Sequence, residues 1–212
     1  MRTHPNQPEL FAPQATITHR LEKAELTEYP EAFNRTESEG YFDLLRHEIN
    51  WQSASIRLAG RSIAIPRLQC WVAESGFNYS YSGIQMAPLP WSATLLAIRQ
   101  RVQELAGLSF NAVLLNLYRN GQDSVSWHAD DEPELGPNPV VASVSFGASR
   151  PFELKPKDNH SAARYRLMLH SGSLLVMGNT MQNNWLHQIP KAKGLEEPRI
   201  NLTFRQVCER SG

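Results

Sequence analysis

Within Trp127-His128-Ala129-Asp130 an imidazole and a carboxylate stand two residues apart. In an extended segment such residues point to the same side, so His128 and Asp130 would present nitrogen and oxygen donors to one small volume. That is two-thirds of a metal site, and an isolated His-x-Asp is more often a hydrogen-bonded surface pair. A second histidine must come from another strand. His160 lies in the polar loop 155–162 and His170 precedes Ser171-Gly172, whereas His187 sits between apolar neighbours in Trp185-Leu186-His187-Gln188-Ile189 and is the best candidate. Two histidines and one carboxylate form the facial triad of non-haem Fe(II) oxygenases, which leaves three positions for a co-substrate and dioxygen.

A second pattern is Arg199-Ile200-Asn201-Leu202-Thr203-Phe204-Arg205, with polar and apolar residues in strict alternation. As a strand it carries Arg199, Asn201, Thr203 and Arg205 on one face and Ile200, Leu202 and Phe204 on the other. The polar face is either the solvated side of an edge strand or an anion site. Two arginines on one face repel unless an anion or an acidic partner lies between them, and a small dicarboxylate would satisfy both guanidinium forks. Asn116 and Tyr118 also share a strand face, in the otherwise apolar run Val113 to Tyr118. They either pair with backbone or add an amide and a phenol to such an anion pocket.

These residues need a scaffold. From Phe110 onward, short period-two segments at 112–118, 140–146, 165–169, 173–177 and 200–207 alternate with Gly, Pro, Asn and Asp clusters, as in an antiparallel sandwich or barrel. Two helices are expected ahead of them. Thr36 and Glu39 have capping-box spacing before Phe42, Leu45 and Ile49. Ser92 caps a helix whose stripe is Leu95, Ile98, Val102 and Leu105, with Gly107 just past its end. The fold class is α+β, helices leading and a β core behind. Residues 1–20 are polar, contain three prolines and read as a flexible arm; 21–212 form one domain.

The 212 residues suit a single domain with a self-sufficient core, and 41% hydrophobic with 20% charged residues excludes a largely disordered chain. No run is apolar for the roughly 18 residues of a membrane span, and the first residues lack an apolar signal core. A protein that stays in the cytoplasm, or the nucleus of a eukaryotic cell, is expected. Two cysteines, Cys70 and Cys208, make no disulfide framework or zinc pattern. The net charge of zero conceals an asymmetry: residues 1–54 hold nine acids against five bases, so the remainder is net positive. Arg57, Arg61 and Arg67, and Arg150, Lys155, Lys157, Arg164 and Arg166, form basic clusters able to touch phosphates without a basic protein overall.

Taken together, the ordered set Asn116-x-Tyr118, His128-x-Asp130, His187 and Arg199-x-Asn201-x-Thr203-x-Arg205 resembles the AlkB family of Fe(II)- and 2-oxoglutarate-dependent nucleic-acid dealkylases. The resemblance runs from about Ile65 to Val207, through Pro66-Arg67, Tyr79 to Gly83, Asp130-Asp131-Glu132 and Ala142 to Ala148. It implies a double-stranded β-helix, or jelly roll, with Fe(II) held by His128, Asp130 and His187. Arg199 and Arg205 would anchor 2-oxoglutarate, and Asn116, Tyr118, Asn201 and Thr203 would complete its pocket. Dioxygen would be the other co-substrate, and decarboxylation would drive methyl hydroxylation and formaldehyde release. The target base, of the 1-methyladenine or 3-methylcytosine type, would lie between Tyr81 and His128 and meet Asp131. Arg67, Tyr79 and Ser82 would belong to a lid spanning about 55–85. Ala59 stands where duplex-preferring members carry an aromatic wedge, so single-stranded DNA, or RNA, is the expected partner of a monomeric enzyme. A protein, lipid or small-molecule substrate for the same iron chemistry is the alternative.

Overall fold

Alternation in the strands decides which side chains enter the interior. The computed structural model describes residues 15–58, 61–74, 79–81, 84–158, 161–178 and 180–208, and the backbone alone at 56–58, 61, 62, 79–81 and 84–86. In chain order these form β1 (Ile17–Leu21), β2 (Ala24–Tyr29), α1 (Arg35–Glu48), β3 (Gln52–Leu58), β4 (Arg61–Ala73), β5 (Tyr79–Tyr81), β6 (Ile84–Met86) and α2 (Ala93–Ala106). There follow β7 (Ala112–Tyr118), β8 (Val125–His128), β9 (Val141–Gly147), β10 (Arg150–Pro156), β11 (Tyr165–Leu169), β12 (Leu174–Met177), the one-turn α3 (Met181–Asn184), β13 (Trp185–Ile189) and β14 (Arg199–Arg205).

An eight-stranded sheet of order β1-β2-β12-β9-β14-β7-β4-β3 faces a four-stranded sheet of order β11-β10-β13-β8. This is the expected jelly-roll sandwich. α1 and α2 cover the outer face of the large sheet, where Leu45, Leu95, Ile98 and Val102 pack with Val113, Leu115, Ile200, Leu202 and Phe204. The opposite face meets the small sheet through Leu26, Tyr118, Phe152, Leu154, Leu175 and Trp185. Burial of this kind contributes roughly 1.5–3 kcal/mol for each large side chain.

β14 lies between β9 and β7, with all seven residues buried. It is therefore central, and the solvated-edge alternative is excluded. Its even residues enter the helix-side core, and its odd residues line the space between the sheets. Register sets Arg199 opposite Tyr118 and Asn201 opposite Asn116, so the two polar motifs share one face.

Several local expectations change. The α1 capping box is built two residues earlier than Thr36 and Glu39: Asn34 Oδ1 accepts from Glu37 N at 3.0 Å, and Glu37 Oε2 accepts from Asn34 N at 2.8 Å. Asn34 has the extended backbone that a cap requires, whereas Thr36 already lies within the helix. Glu39 instead pairs with Arg35 at 2.8 Å. α2 begins and ends as expected, with Ser92 Oγ accepting from Leu95 N and Gly107 left-handed at φ 66°.

The helices do not lead, because β1 to β4 all precede α2 and all belong to the large sheet. β2 is only six residues long, and Pro66 interrupts the strand signal of β4. The arm expected over 1–20 is described only from residue 15, and 17–20 are paired within β1.

Candidate active site

His128 ends β8 and His187 is central in β13; the two are directly paired across these strands. Their rings lie 4.2 Å apart, centroid to centroid. Asp130 follows β8 by two residues and turns inward, leaving 1% of its surface exposed. One donor atom from each of the three lies within 4.8 Å of the others.

Each donor is oriented by a neighbour. His128 Nδ1 lies 2.8 Å from the Ser126 carbonyl, which can only accept, so Nδ1 carries the proton and Nε2 keeps its lone pair. Asp130 N donates to Gln182 Oε1 at 2.9 Å, which ties the ligand loop to α3. Asp130 Oδ1 accepts from Arg205 Nη2 at 2.6 Å, both groups being buried.

The electrostatics suit a cation. Burial alone would raise the Asp130 carboxyl, but the Arg205 guanidinium and the two imidazoles outweigh it and hold the group at about 2. Burial lowers both imidazoles, His187 to about 3, so they remain neutral at ordinary pH, as metal ligands must. His187 Nε2 stands 3.8 Å from Asp130 Oδ2, beyond hydrogen-bond reach, and its buried Nδ1 has no hydrogen-bond partner among the described residues. A metal ion at Nε2 would take the lone pair that has no donor within reach there. The donor set is that of a non-haem Fe(II) centre.

The same cavity is lined by the residues expected to bind an anion. Arg199 is 1% exposed; Nη2 donates to Ser145 Oγ at 2.9 Å, while Nε and Nη1 have no partner among the described residues. Burial lowers its guanidinium to about 10, still charged at neutral pH. Leaving buried donors unpaired costs roughly 1–3 kcal/mol each, so this cation is not retained for stability, and a carboxylate would complete it. Its guanidinium lies 5.2 Å from the centre of the Tyr118 ring, and Arg150 lies 5.4 Å from that centre.

The other expected residues divide into two groups. Asn116 Oδ1 accepts from Arg67 Nε at 2.8 Å, which leaves its NH2 group to donate. Asn201 is committed to the protein: Nδ2 donates to Ser143 Oγ and Val144 O, and Oδ1 accepts from Thr203 Oγ1. Asn201 and Thr203 therefore line the cavity as braces. Arg67, expected in a lid, is 3% exposed in β4 and also donates to Ser124 O at 3.2 Å, so it forms part of the cavity wall. Asp131 is exposed beside the metal donors and pairs with Lys157 at 2.6 Å. Ser82, Ala59 and His160 lie outside the described residues, as do the side chains of Tyr79, Tyr81, Arg57 and Arg61.

Sequence reasoning missed several supporting groups. Arg150, read as a phosphate contact, is fully buried and donates to the carbonyls of Asn120, Asp123 and Pro190. Its period-two neighbours Phe152 and Leu154 were the signal that it points inward. Ser143 and Ser145, polar in an apolar run, carried the same signal. Gln182 gave none, since 52 residues separate it from Asp130.

A family model described as the 2OG-Fe(II) oxygenase superfamily matches residues 25–205. Alpha-ketoglutarate-dependent dioxygenase alkB homolog 3 of Bos taurus is 42% identical over 179 residues, 81% of this chain and 62% of that protein. The Homo sapiens protein of the same name is 39% identical over 187 residues, 84% of this chain and 65% of its own length. DNA oxidative demethylase ALKBH2 of Mus musculus is 36% identical over 85% of this chain and 79% of that protein. The chain thus spans somewhat under two-thirds of the length of the two alkB homolog 3 proteins. Among solved structures, that of OsALKBH1 superposes with a TM-score of 0.60 at 16% identity, covering 90% of this chain and 100% of that one. A 2OG-Fe(II) oxygenase family oxidoreductase from Burkholderia pseudomallei gives a TM-score of 0.56 at 15% identity, covering 88% and 89%. At such identities these two speak for the fold.

Proposed function

Because the chain belongs to the 2OG-Fe(II) oxygenase superfamily and, within it, to the AlkB family, we propose that it oxidatively demethylates N-alkylated nucleobases. The targets are of the 1-methyladenine and 3-methylcytosine type, in DNA and secondarily RNA. The observation that carries this reading is one cavity joining a compact His-Asp-His donor set to two buried arginines, in a chain related to a protein named DNA oxidative demethylase.

His128, Asp130 and His187 would hold Fe(II). Bound iron, 2-oxoglutarate and dioxygen supply the oxidising power, giving succinate and carbon dioxide and converting N-methyl to N-hydroxymethyl, which leaves as formaldehyde. The chain's own part is positional and electrostatic. Arg199, with two unspent N–H donors, would take a carboxylate of 2-oxoglutarate, assisted by Tyr118 and the Asn116 amide. Arg205 neutralises Asp130 and keeps it ionised for the metal. Arg67 and Asn201 hold the cavity wall without spending themselves on the ligand. Tyr79, Tyr81, Ser82 and Asp131 would receive the base, which must be flipped out or single-stranded to reach the metal.

With Ala59 in place of a large wedge, single strands are the preferred substrate of a monomeric enzyme. Among the described residues no helix is long and apolar enough to cross a membrane; the cytoplasm, or the nucleus of a eukaryotic cell, is the compartment proposed. The test is formaldehyde release from matched single- and double-stranded oligonucleotides carrying 3-methylcytosine. Faster turnover of the single strand is expected. Markedly faster duplex turnover contradicts the strand preference, and no formaldehyde from either contradicts the nucleobase reading in favour of a protein, lipid or small-molecule substrate.

A further inference from the structure

The carboxylate beside the metal donors is already paired. Asp131 adjoins Asp130, and its Oδ2 accepts from Lys157 Nζ at 2.6 Å, with side-chain exposures of 51% for Asp131 and 31% for Lys157. Lys157 is held from two sides: it follows β10 directly, and its backbone N–H donates to Asn184 O at the end of α3, 2.8 Å away. Because Asp131 directly follows the metal donor Asp130, the ammonium paired with it stands beside the metal donors. The contact is too exposed to contribute much stability. It does fix the charge that an incoming base meets.

We propose that Lys157 is a specificity-determining residue that sets how strongly the site discriminates cationic from neutral methylated bases. The inference rests on the nucleobase reading given above. Methylation of a ring nitrogen that has no hydrogen in the neutral base, as in 1-methyladenine and 3-methylcytosine, creates a cation. Methylation of a nitrogen that has one, as in 3-methylthymine and 1-methylguanine, leaves the base neutral with a carbonyl beside the methyl group. A lone Asp131 carboxylate would favour the cations. The Lys157 ammonium repels them, compensates the carboxylate, and offers an N–H donor to the carbonyl of a neutral base. The entrance is thereby tuned to accept both classes.

The test compares kcat/KM for single-stranded oligonucleotides carrying 3-methylcytosine or 3-methylthymine, in wild type, Lys157→Met and Lys157→Arg. Lys157→Met should raise the cytosine-to-thymine ratio about tenfold, the effect expected of one unit charge a few ångströms away at a half-exposed site. Lys157→Arg, which keeps the charge, should retain the wild-type ratio. Should Lys157→Met fold poorly, Lys157→Gln removes the same charge and should shift the ratio in the same direction. A ratio within twofold of wild type in the neutral variants overturns the inference alone, as does an equal shift in Lys157→Arg. Absence of formaldehyde from both oligonucleotides with wild type overturns the nucleobase reading and this inference with it.

Discussion

At the scale of single residues, the two arginines on one face of β14 have different work. Arg205 donates to Asp130 through Nη2, whereas Arg199 leaves both Nε and Nη1 without a partner among the described residues. Arg199→Ala should therefore raise the KM for 2-oxoglutarate at least tenfold with little loss of metal affinity. Arg205→Ala should also strand a buried carboxylate, costing about 3–5 kcal/mol before any ligand is added. Thermal unfolding of the apoprotein and calorimetric Mn(II) titration separate these outcomes, and equal metal affinity in both variants would contradict the division of labour. A second residue-scale prediction concerns acid. Burial raises the Asp123 carboxyl, but bonds from the Arg119 side chain and backbone, with the charges of Arg119 and Arg150, outweigh it and leave the group below its usual 3.8. A carboxyl depressed on folding adds stability that is complete above its unfolded value and is lost as pH falls through its folded one. Asp123→Asn should thus lower Tm at pH 7, and the gap should close progressively below about pH 4. A gap that stays constant down to pH 2 would contradict this. The triad was legible in the sequence because strand alternation and apolar flanks report which side chains face inward. Lys157 against Asp131, and Gln182 against Asp130, were not legible, since each contact joins chain segments that only the closed sandwich brings together.

At the scale of elements, the loops that follow β7 and β13 are held together. Gly121 N donates to Leu195 O at 2.7 Å, Ala192 N donates to Gly121 O at 2.8 Å, and Arg150 clamps Asn120, Asp123 and Pro190 from within. A Cβ at Gly121 would stand 1.8 Å from the Ala192 carbonyl oxygen, so the strands of chain fit only without one. Gly121→Ala should lower Tm by about 4–8 °C, corresponding to roughly 2 kcal/mol in a domain of this size. It should also weaken 2-oxoglutarate binding, and unchanged values for both would show that the two loops are not coupled. β7, β11 and α2 were readable because each carries its own signal: an apolar run between turn residues, or a serine cap and a glycine stop. β1, β2 and the β3-β4 pair were not. Their stability comes from pairing with β12 and β7, more than a hundred and some forty residues away respectively, and their own sequences are short or broken by Pro66.

At the scale of the whole molecule, the basic residues counted around the later loop prove not to be equally available to solvent. Arg150, counted among the basic residues near the later loop, is buried, and Lys155 lies over the Trp127 ring at 4.8 Å. Of that cluster Arg164 and Arg166 remain exposed and Lys157 half-buried, so binding of an oligonucleotide through it should be weak and should release only a few counterions. The logarithm of KM for a methylated oligonucleotide should rise with that of salt concentration with a slope below about 4. A steeper slope would mean that a basic surface other than β10 and β11 carries the strand. Selectivity then resides in the base site, and the account as a whole stands on the coupling of that site to the metal cavity. The most direct measurement is the stoichiometry of succinate and formaldehyde formed by the wild-type chain with Fe(II), 2-oxoglutarate, dioxygen and a single-stranded oligonucleotide containing 3-methylcytosine. Beyond a slow background of succinate, both products are expected in equal amounts and only when the methylated base is present. Succinate at the background rate, with no formaldehyde, would contradict it.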